Sequence, residues 1–129
     1  MLATTTITTA VTASLSGTTT IRNARVLVLQ AVFVYGSGGT SAKAWVQTSI
    51  DGGTTWFDIA SFAFTTASAT RLYSLDTTAV TSIYTPTDAT LTDNTVKNGL
   101  LGDKYRVKYT TTGTYAGSTT LTISASAIR

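Results

Sequence analysis

The clearest hydrophobic pattern in the chain lies at residues 25–35, which read Arg-Val-Leu-Val-Leu-Gln-Ala-Val-Phe-Val-Tyr. Apolar residues occupy both odd and even positions, and Gln30 is the exception. The branched valines favour extended backbone because their side chains fit a pleated surface. A strand that is apolar on both faces is expected to lie centrally in a sheet and to be covered on both sides.

Residues 104–110 show strict alternation instead. Tyr105, Val107 and Tyr109 fall on one side of the chain, and the side chains between them are basic. This pattern predicts a half-buried strand with its tyrosines inward. Residues 119–128 alternate in the same way and are predicted to close the sheet.

Two segments with mixed faces, at residues 42–48 and 57–64, flank a turn, and shorter strands are predicted at residues 71–75 and 80–84. Mixed faces indicate burial on one side and partial cover on the other. No segment keeps a helical period for three turns. Seven or eight short, evenly spaced strands predict an all-β fold, a two-sheet antiparallel β-sandwich or jelly roll. Residues 23–129 are expected to form one domain, with residues 1–22 as an N-terminal arm or an edge strand.

The turn between the two mixed segments reads Ser-Ile-Asp-Gly-Gly-Thr-Thr-Trp, residues 49–56. An Asp carboxylate accepts hydrogen bonds from backbone N–H groups two or three residues on, and a Gly pair tolerates positive φ. The octet is similar to the Asp-box hairpin of sialidases and related β-propellers, in which this turn is structural. The residues expected to build the turn are Ser49, Asp51, Gly52, Gly53, Thr55 and Trp56.

The composition lacks most side chains that act in catalysis or bind metal ions. The chain has no Cys and no His, and each of its six acidic residues is Asp. The Ser-His-Asp triad, the Cys-His pair and nearly all zinc sites are therefore absent, and we expect no enzyme, no cofactor and no metal site. The start of the chain does not resemble a signal peptide, and no apolar run is long enough to span a membrane.

Partner contacts are expected at the N-terminal arm, residues 1–22, and at two further places. Lys104, Arg106 and Lys108 line one strand face over roughly 13 Å, at about 3.3 Å per residue. Nucleic acid would require aromatic side chains on that same face for base stacking, so an acidic protein surface is the better partner. The second place is the long polar loop at residues 85–99, since such loops often carry contacts; its candidate residues are Pro86, Asp88, Asp93 and Asn94.

Three stretches together resemble small virion proteins of tailed bacteriophages: residues 44–56, residues 101–109 and residues 113–120. The resemblance implies a head-decoration (cement) protein on the capsid surface of the virion, made in the host cytoplasm. It implies the major capsid protein as partner and self-association, with a homotrimer expected. A neck, tail or fibre component is the alternative position.

The rival hypothesis is a carbohydrate-binding module displayed on the virion. Glycan binding would need aromatic side chains as stacking platforms, and the candidates for that role are Trp45, Trp56, Tyr73, Tyr84 and Tyr115.

Overall fold

A computed structural model describes residues 3–6, 14–79 and 83–129 of the chain. These residues contain strands, turns and loops and no helix, and they form a two-sheet antiparallel β-sandwich. The predicted fold class is confirmed.

Six strands of eight or nine residues correspond to the predicted apolar and alternating segments. The strands are β1 Ala3–Thr6, β2 Ser14–Leu15, β3 Thr19–Thr20, β4 Val26–Val34, β5 Ser37–Gly38, β6 Ser41–Ser49, β7 Phe57–Phe64, β8 Ala69–Asp76, β9 Lys104–Thr112, β10 Tyr115–Ala116 and β11 Thr120–Ile128. The strand predicted at residues 80–84 is not observed at Ile83 and Tyr84, and residues 80–82 lie outside the described part.

The first sheet has the order β1-β11-β4-β8, and the second has the order β2-β9-β6-β7, with β3 also paired to β9. β5 and β10 form a separate short ladder. Within residues 1–22, the described strands therefore lie at edges: β1 beside β11 in the first sheet, and β2 and β3 beside β9 in the second.

The core lies between the two inner faces. Alternate residues of β4, including Leu27, Leu29 and Phe33, are buried against side chains of β6, β7 and β9. Phe33 stacks on Phe64 with ring centroids 5.0 Å apart and meets Tyr115 edge to face at 5.7 Å. The alternation of side chains along β4, β9 and β11 thus places one row of apolar residues from each strand in the same layer.

The outer face of the first sheet is formed by the other alternate positions of β4, β8 and β11, as the strand register requires. Apart from Asp76 in its end row, this surface, hereafter the uncharged face, carries only apolar, hydroxyl and amide side chains over the three long strands: Val26, Val28, Gln30, Val32, Val34, Thr70, Leu72, Ser74, Thr120, Thr122, Ser124, Ser126 and Ile128. Gln30, Val34 and Leu72 are exposed. The prediction that β4 is covered on both sides is wrong, because no described segment crosses this face.

The second sheet is the one covered on both sides. Residues 83–98, hereafter the cover loop, run along β7 and over the outer face of β6. The cover loop pairs with the β7 backbone through Asp58 N to Thr87 O, Ser61 N to Thr95 O and Lys97 N to Ile59 O, at 3.1, 2.9 and 2.8 Å. β7 is the edge strand of its sheet, and these hydrogen bonds satisfy backbone groups that would otherwise be unpaired. β6 is consequently buried along most of its length on both faces.

Candidate functional site

The turn at residues 49–56 is held by one carboxylate and one hydroxyl. Asp51 Oδ1 accepts hydrogen bonds from Ser49 Oγ at 2.7 Å, Thr54 N at 3.1 Å and Thr55 N at 2.9 Å, and the Thr55 hydroxyl donates to Oδ2. Ser49 Oγ in turn accepts from Gly53 N at 2.9 Å. Three successive backbone donors, the amides of Gly53, Thr54 and Thr55, are therefore satisfied within the turn itself.

Two backbone features require glycine in this turn. Gly52 and Gly53 have φ of 76° and 100°, a region that residues with a Cβ rarely adopt.

Trp56 folds back so that its Nε1 donates to Gly53 O at 3.0 Å. The guanidinium of Arg106 lies 4.3 Å from the centroid of the Trp56 ring. The hairpin and β9 are thus fastened together by a cation–π contact.

The electrostatics of the turn follow from these donors. Hydrogen bonds from the Thr55 hydroxyl and amide, and then from Ser49, hold the pKa of Asp51 far below its usual value of 3.8. Donors that stabilise the charged carboxylate disfavour its protonation. Asp51 is therefore poorly suited to be a general acid, which must carry a proton near neutral pH.

The three basic residues of β9 lie on the outer face of the second sheet, opposite Tyr105 and Val107, as predicted. Arg106 Nε donates to Gln47 Oε1 at 2.8 Å, and Lys108 Nζ lies 3.0 Å from Asp88 Oδ1. Lys108 retains only 17% of its side-chain exposure. The β9 row and the cover loop are thus brought together into one surface, and two of its three cations are already engaged within the chain.

The pKa values on this surface agree with that geometry. The Gln47 amide and then Lys108 hold the pKa of Asp88 below its usual 3.8, since both donate to its carboxylate. Burial lowers the pKa of Arg106, and the charges of Asp88 and Asp58 oppose that effect.

Asp58 is the organising residue that the sequence did not reveal. Its side chain is fully buried on β7. Oδ1 accepts from Gln47 Nε2 at 2.8 Å and Ala89 N at 2.9 Å. Oδ2 accepts from Thr87 Oγ1 at 2.7 Å and from the amides of residues 90 and 91 at 3.1 and 3.2 Å. One carboxylate thus fixes the backbone of residues 87–91 over β6. The signal in the sequence was an acid inside the apolar run Phe-Asp-Ile-Ala.

The other predicted contact residues of the loop occupy the outside of this cover. Pro86, Asp88, Asp93 and Asn94 are all exposed. Asp93 forms an ion pair with Lys43 at 3.1 Å, and Asn94 Oδ1 accepts from Ala63 N at 3.0 Å. These four side chains are therefore accessible while their backbone is anchored.

A groove of about 660 Å³ runs between the cover loop and the adjoining ends of β6 and β9. Its walls include the Lys43–Asp93 pair, Thr90 and Thr110, and Trp45 lies at its base. Trp45 is largely buried, and its Nε1 donates to Leu91 O at 3.0 Å. The groove is open to solvent, and five of its ten lining residues carry a hydroxyl group.

The two best-positioned carboxylates among the described residues already have hydrogen-bond donors. Asp51 accepts from its own turn, and Asp58 accepts from Gln47 and the cover loop. Across residues 3–6, 14–79 and 83–129, no cluster of three or more Asp side chains could hold a metal ion. In the same residues, no helix has the length and hydrophobicity to cross a membrane.

Comparison of the chain with protein-family models, with curated proteins and with solved structures gave no match.

Proposed function

We propose that this chain is a structural protein of a tailed-phage virion, a head-decoration protein that binds the outer capsid surface across capsomer boundaries. The observation that carries the proposal is the use of Asp51 and Asp58 to close loops. The carboxylates of Asp51 and Asp58 hold loops in fixed positions, and the chain has no His, Cys or Glu that could act in catalysis. The resemblance of residues 44–56 and 101–120 to small virion proteins supports the same conclusion.

The protein would stabilise the capsid through the contact area that each copy buries and through the number of copies bound. A rigid domain that touches two capsomers adds contacts that must break before the shell opens, so bound copies stabilise the closed shell by mass action. Many weak contacts on one shell act together, because releasing one copy does not release its neighbours. Rigidity matters because a preformed surface loses little entropy on binding.

The contact surface we propose lies at the hairpin end of the second sheet. Ile50 is 72% exposed at the tip of the turn, and Lys104 faces Ser49 in the register of β6 and β9. Asp88 and Asp93 lie further along the same outer surface. An exposed apolar side chain beside a cation suits an acidic protein surface with an apolar centre.

The proposal is tested with particles of the phage that encodes the chain, prepared with and without the protein and heated in parallel. We expect particles without the protein to release DNA at a lower temperature, and added protein to restore the original release temperature. Lys104→Glu should reduce this restoration, whereas Thr66→Glu, at the opposite end of the sandwich, should not. Equal thermal release with and without the protein would contradict the decoration role.

Glycan binding is the second candidate, and the groove beside Trp45 is the observation that favours it, since its volume lies within the range of small-molecule sites. The predicted stacking platforms give it little support. Trp45 and Tyr115 are buried, and Tyr73 stacks on Phe62 with centroids 4.8 Å apart. Binding to a glycan array that is lost in Lys43→Ala would support this candidate over the first.

A further inference from the structure

The uncharged face of the first sheet differs from the rest of the molecular surface in its lack of charge. Asp76 lies at one end of this face, in a row with Val26 and Ile128. The second sheet presents Lys43, Lys104 and the other charged groups described above. Apart from Asp76, the face itself therefore carries no charged side chain.

This face also exposes large apolar side chains. Val34, Leu72 and Ile128 are 50%, 61% and 59% exposed. The half-buried valines of β4 add apolar surface on both sides of Gln30, and hydroxyl side chains of β8 and β11 flank it. Contiguous exposed apolar surface of this kind marks an interaction site more often than single exposed residues do.

The dimensions suit a stable protein contact. Three strands of eight or nine residues span about 14 Å by 30 Å, at about 4.8 Å per strand and 3.3 Å per residue. The flat projection is roughly 400 Å², and the accessible surface is larger because side chains stand above it. Stable pairs bury about 600–1,000 Å² per partner, and β1 and the sheet rim extend the face toward that range.

We infer that the partner on this face is a second copy of the same chain, which binds it by the same face around a twofold axis and forms a dimer, in place of the homotrimer that the resemblance to virion proteins implies. A charged partner is disfavoured, because any cation or carboxylate buried here would meet no counter-charge. For the same reason, the charged outer side of the second sheet of another copy is not expected to pack on this face. The uncharged face of a second copy has the matching composition. In a twofold dimer the same surface patch of both subunits forms the interface.

Gln30 gives this pairing its register. It lies at the middle of β4, between Leu72 on β8 and Ser124 on β11, and it is exposed. A carboxamide carries both donors and an acceptor, so two copies of it can pair with each other across a twofold axis. The same group would lose hydrogen bonds against a purely apolar partner.

The pairing leaves the hairpin end and the β9 row outward on both copies, available for the capsid contact proposed above. The two surfaces differ in their response to salt. An uncharged contact is insensitive to ionic strength, whereas a contact through Lys104 and the cover loop weakens as salt rises. The dimer does not depend on the decoration function and is measured on the isolated protein.

The test is sedimentation velocity of the full chain over a concentration series, at low and at high NaCl. We expect a species of twice the 13.5 kDa chain mass whose Kd is the same at both salt concentrations. Gln30→Glu places two like charges against each other and should raise the Kd at least about 100-fold, as like-charge contacts do across interfaces. Thr66→Glu, which adds the same charge on the exposed β7–β8 loop, should leave the Kd unchanged.

Circular dichroism melting of both variants at low concentration establishes that the monomers remain folded. If Gln30→Glu fails to fold, Leu72→Ser on the edge strand replaces it, with an expected Kd increase of about 10-fold. A monomer at every concentration, a trimeric mass, or equal weakening by Thr66→Glu would overturn the inference.

Discussion

The buried carboxylate of Asp58 provides the sharpest stability prediction. Asp58→Asn keeps the size of the side chain and replaces one oxygen by an amide group, which donates and cannot accept. With the amide at the Oδ2 position it opposes the N–H groups of Thr90 and Leu91, which lie 3.1 and 3.2 Å away. With the amide at the Oδ1 position it opposes Gln47 Nε2 and Ala89 N instead. Either orientation leaves two N–H hydrogens facing an amide group, while Gln47 Nε2 keeps its second hydrogen bond, to Asp88 Oδ1 at 2.8 Å.

The magnitude follows from the price of a buried donor without a partner, about 1–3 kcal/mol each. Two such donors lower the free energy of unfolding by about 2–6 kcal/mol. Unfolding entropy is about 2.1 cal/mol/K per residue near 60 °C, which gives about 0.27 kcal/mol/K for this chain of 129 residues. The melting temperature is therefore expected to fall by roughly 7–22 °C.

The assay is thermal melting followed by circular dichroism, with tryptophan emission in a Trp56→Phe background reporting on Trp45 beneath the cover loop. The matched control is Asp93→Asn. Its ion pair with Lys43 is exposed, and exposed pairs contribute about 0–1 kcal/mol. A shift below about 4 °C for Asp58→Asn, with Trp45 emission unchanged, would refute the reasoning, because the loop would then not depend on this carboxylate.

Three further predictions concern the turn, acid stability and a close backbone approach. Asp51→Ala should lower the melting temperature clearly more than Thr54→Ala, because Asp51 accepts from several backbone donors whereas the Thr54 side chain is solvent-exposed; equal melting of the two variants would contradict this. The pKa values of Asp51 and Asp88 lie below their usual 3.8, so their stabilisation is complete above 3.8 and is lost as pH falls through the lowered values. The melting temperature should be constant from about pH 5 to 8 and should fall below about pH 4. The fall should be less steep in Asp51→Ala. A constant melting temperature down to about pH 2 would contradict the stabilising role of these carboxylate hydrogen bonds. Gly102→Ala would place a Cβ 2.2 Å from a backbone oxygen of β6 and should lower stability by about 1–3 kcal/mol in urea unfolding, whereas Gly17→Ala, with no atom within 4 Å, should have little effect.

The fold class could be read from the sequence because it depends on local periodicity. The alternation of residues 104–110 and the apolar run of residues 25–35 correspond to β9 and β4, and the turn at residues 49–56 closes through the predicted Asp51 contacts. These features involve neighbours in sequence or a period of two, which a single sequence displays directly.

The assignment of outer faces failed for a physical reason. β4 is apolar on both sides yet has one solvent-facing side, and the mixed faces of β6 are covered by the cover loop. That cover depends on Asp58 and residues 87–91, which are about thirty residues apart in the chain. Hydrophobic patterns report which residues tolerate burial and not which segment buries them, and an exposed apolar face marks a place for a partner instead.

The proposed decoration role on a phage head requires many copies of the chain on each particle. Quantitative mass spectrometry of purified virions, with the major capsid protein as internal standard, measures that number. We expect on the order of hundreds of copies per particle, in a fixed ratio to the shell subunit. Absence from the particles, or about six or twelve copies as in a ring at a neck or tail, would contradict it.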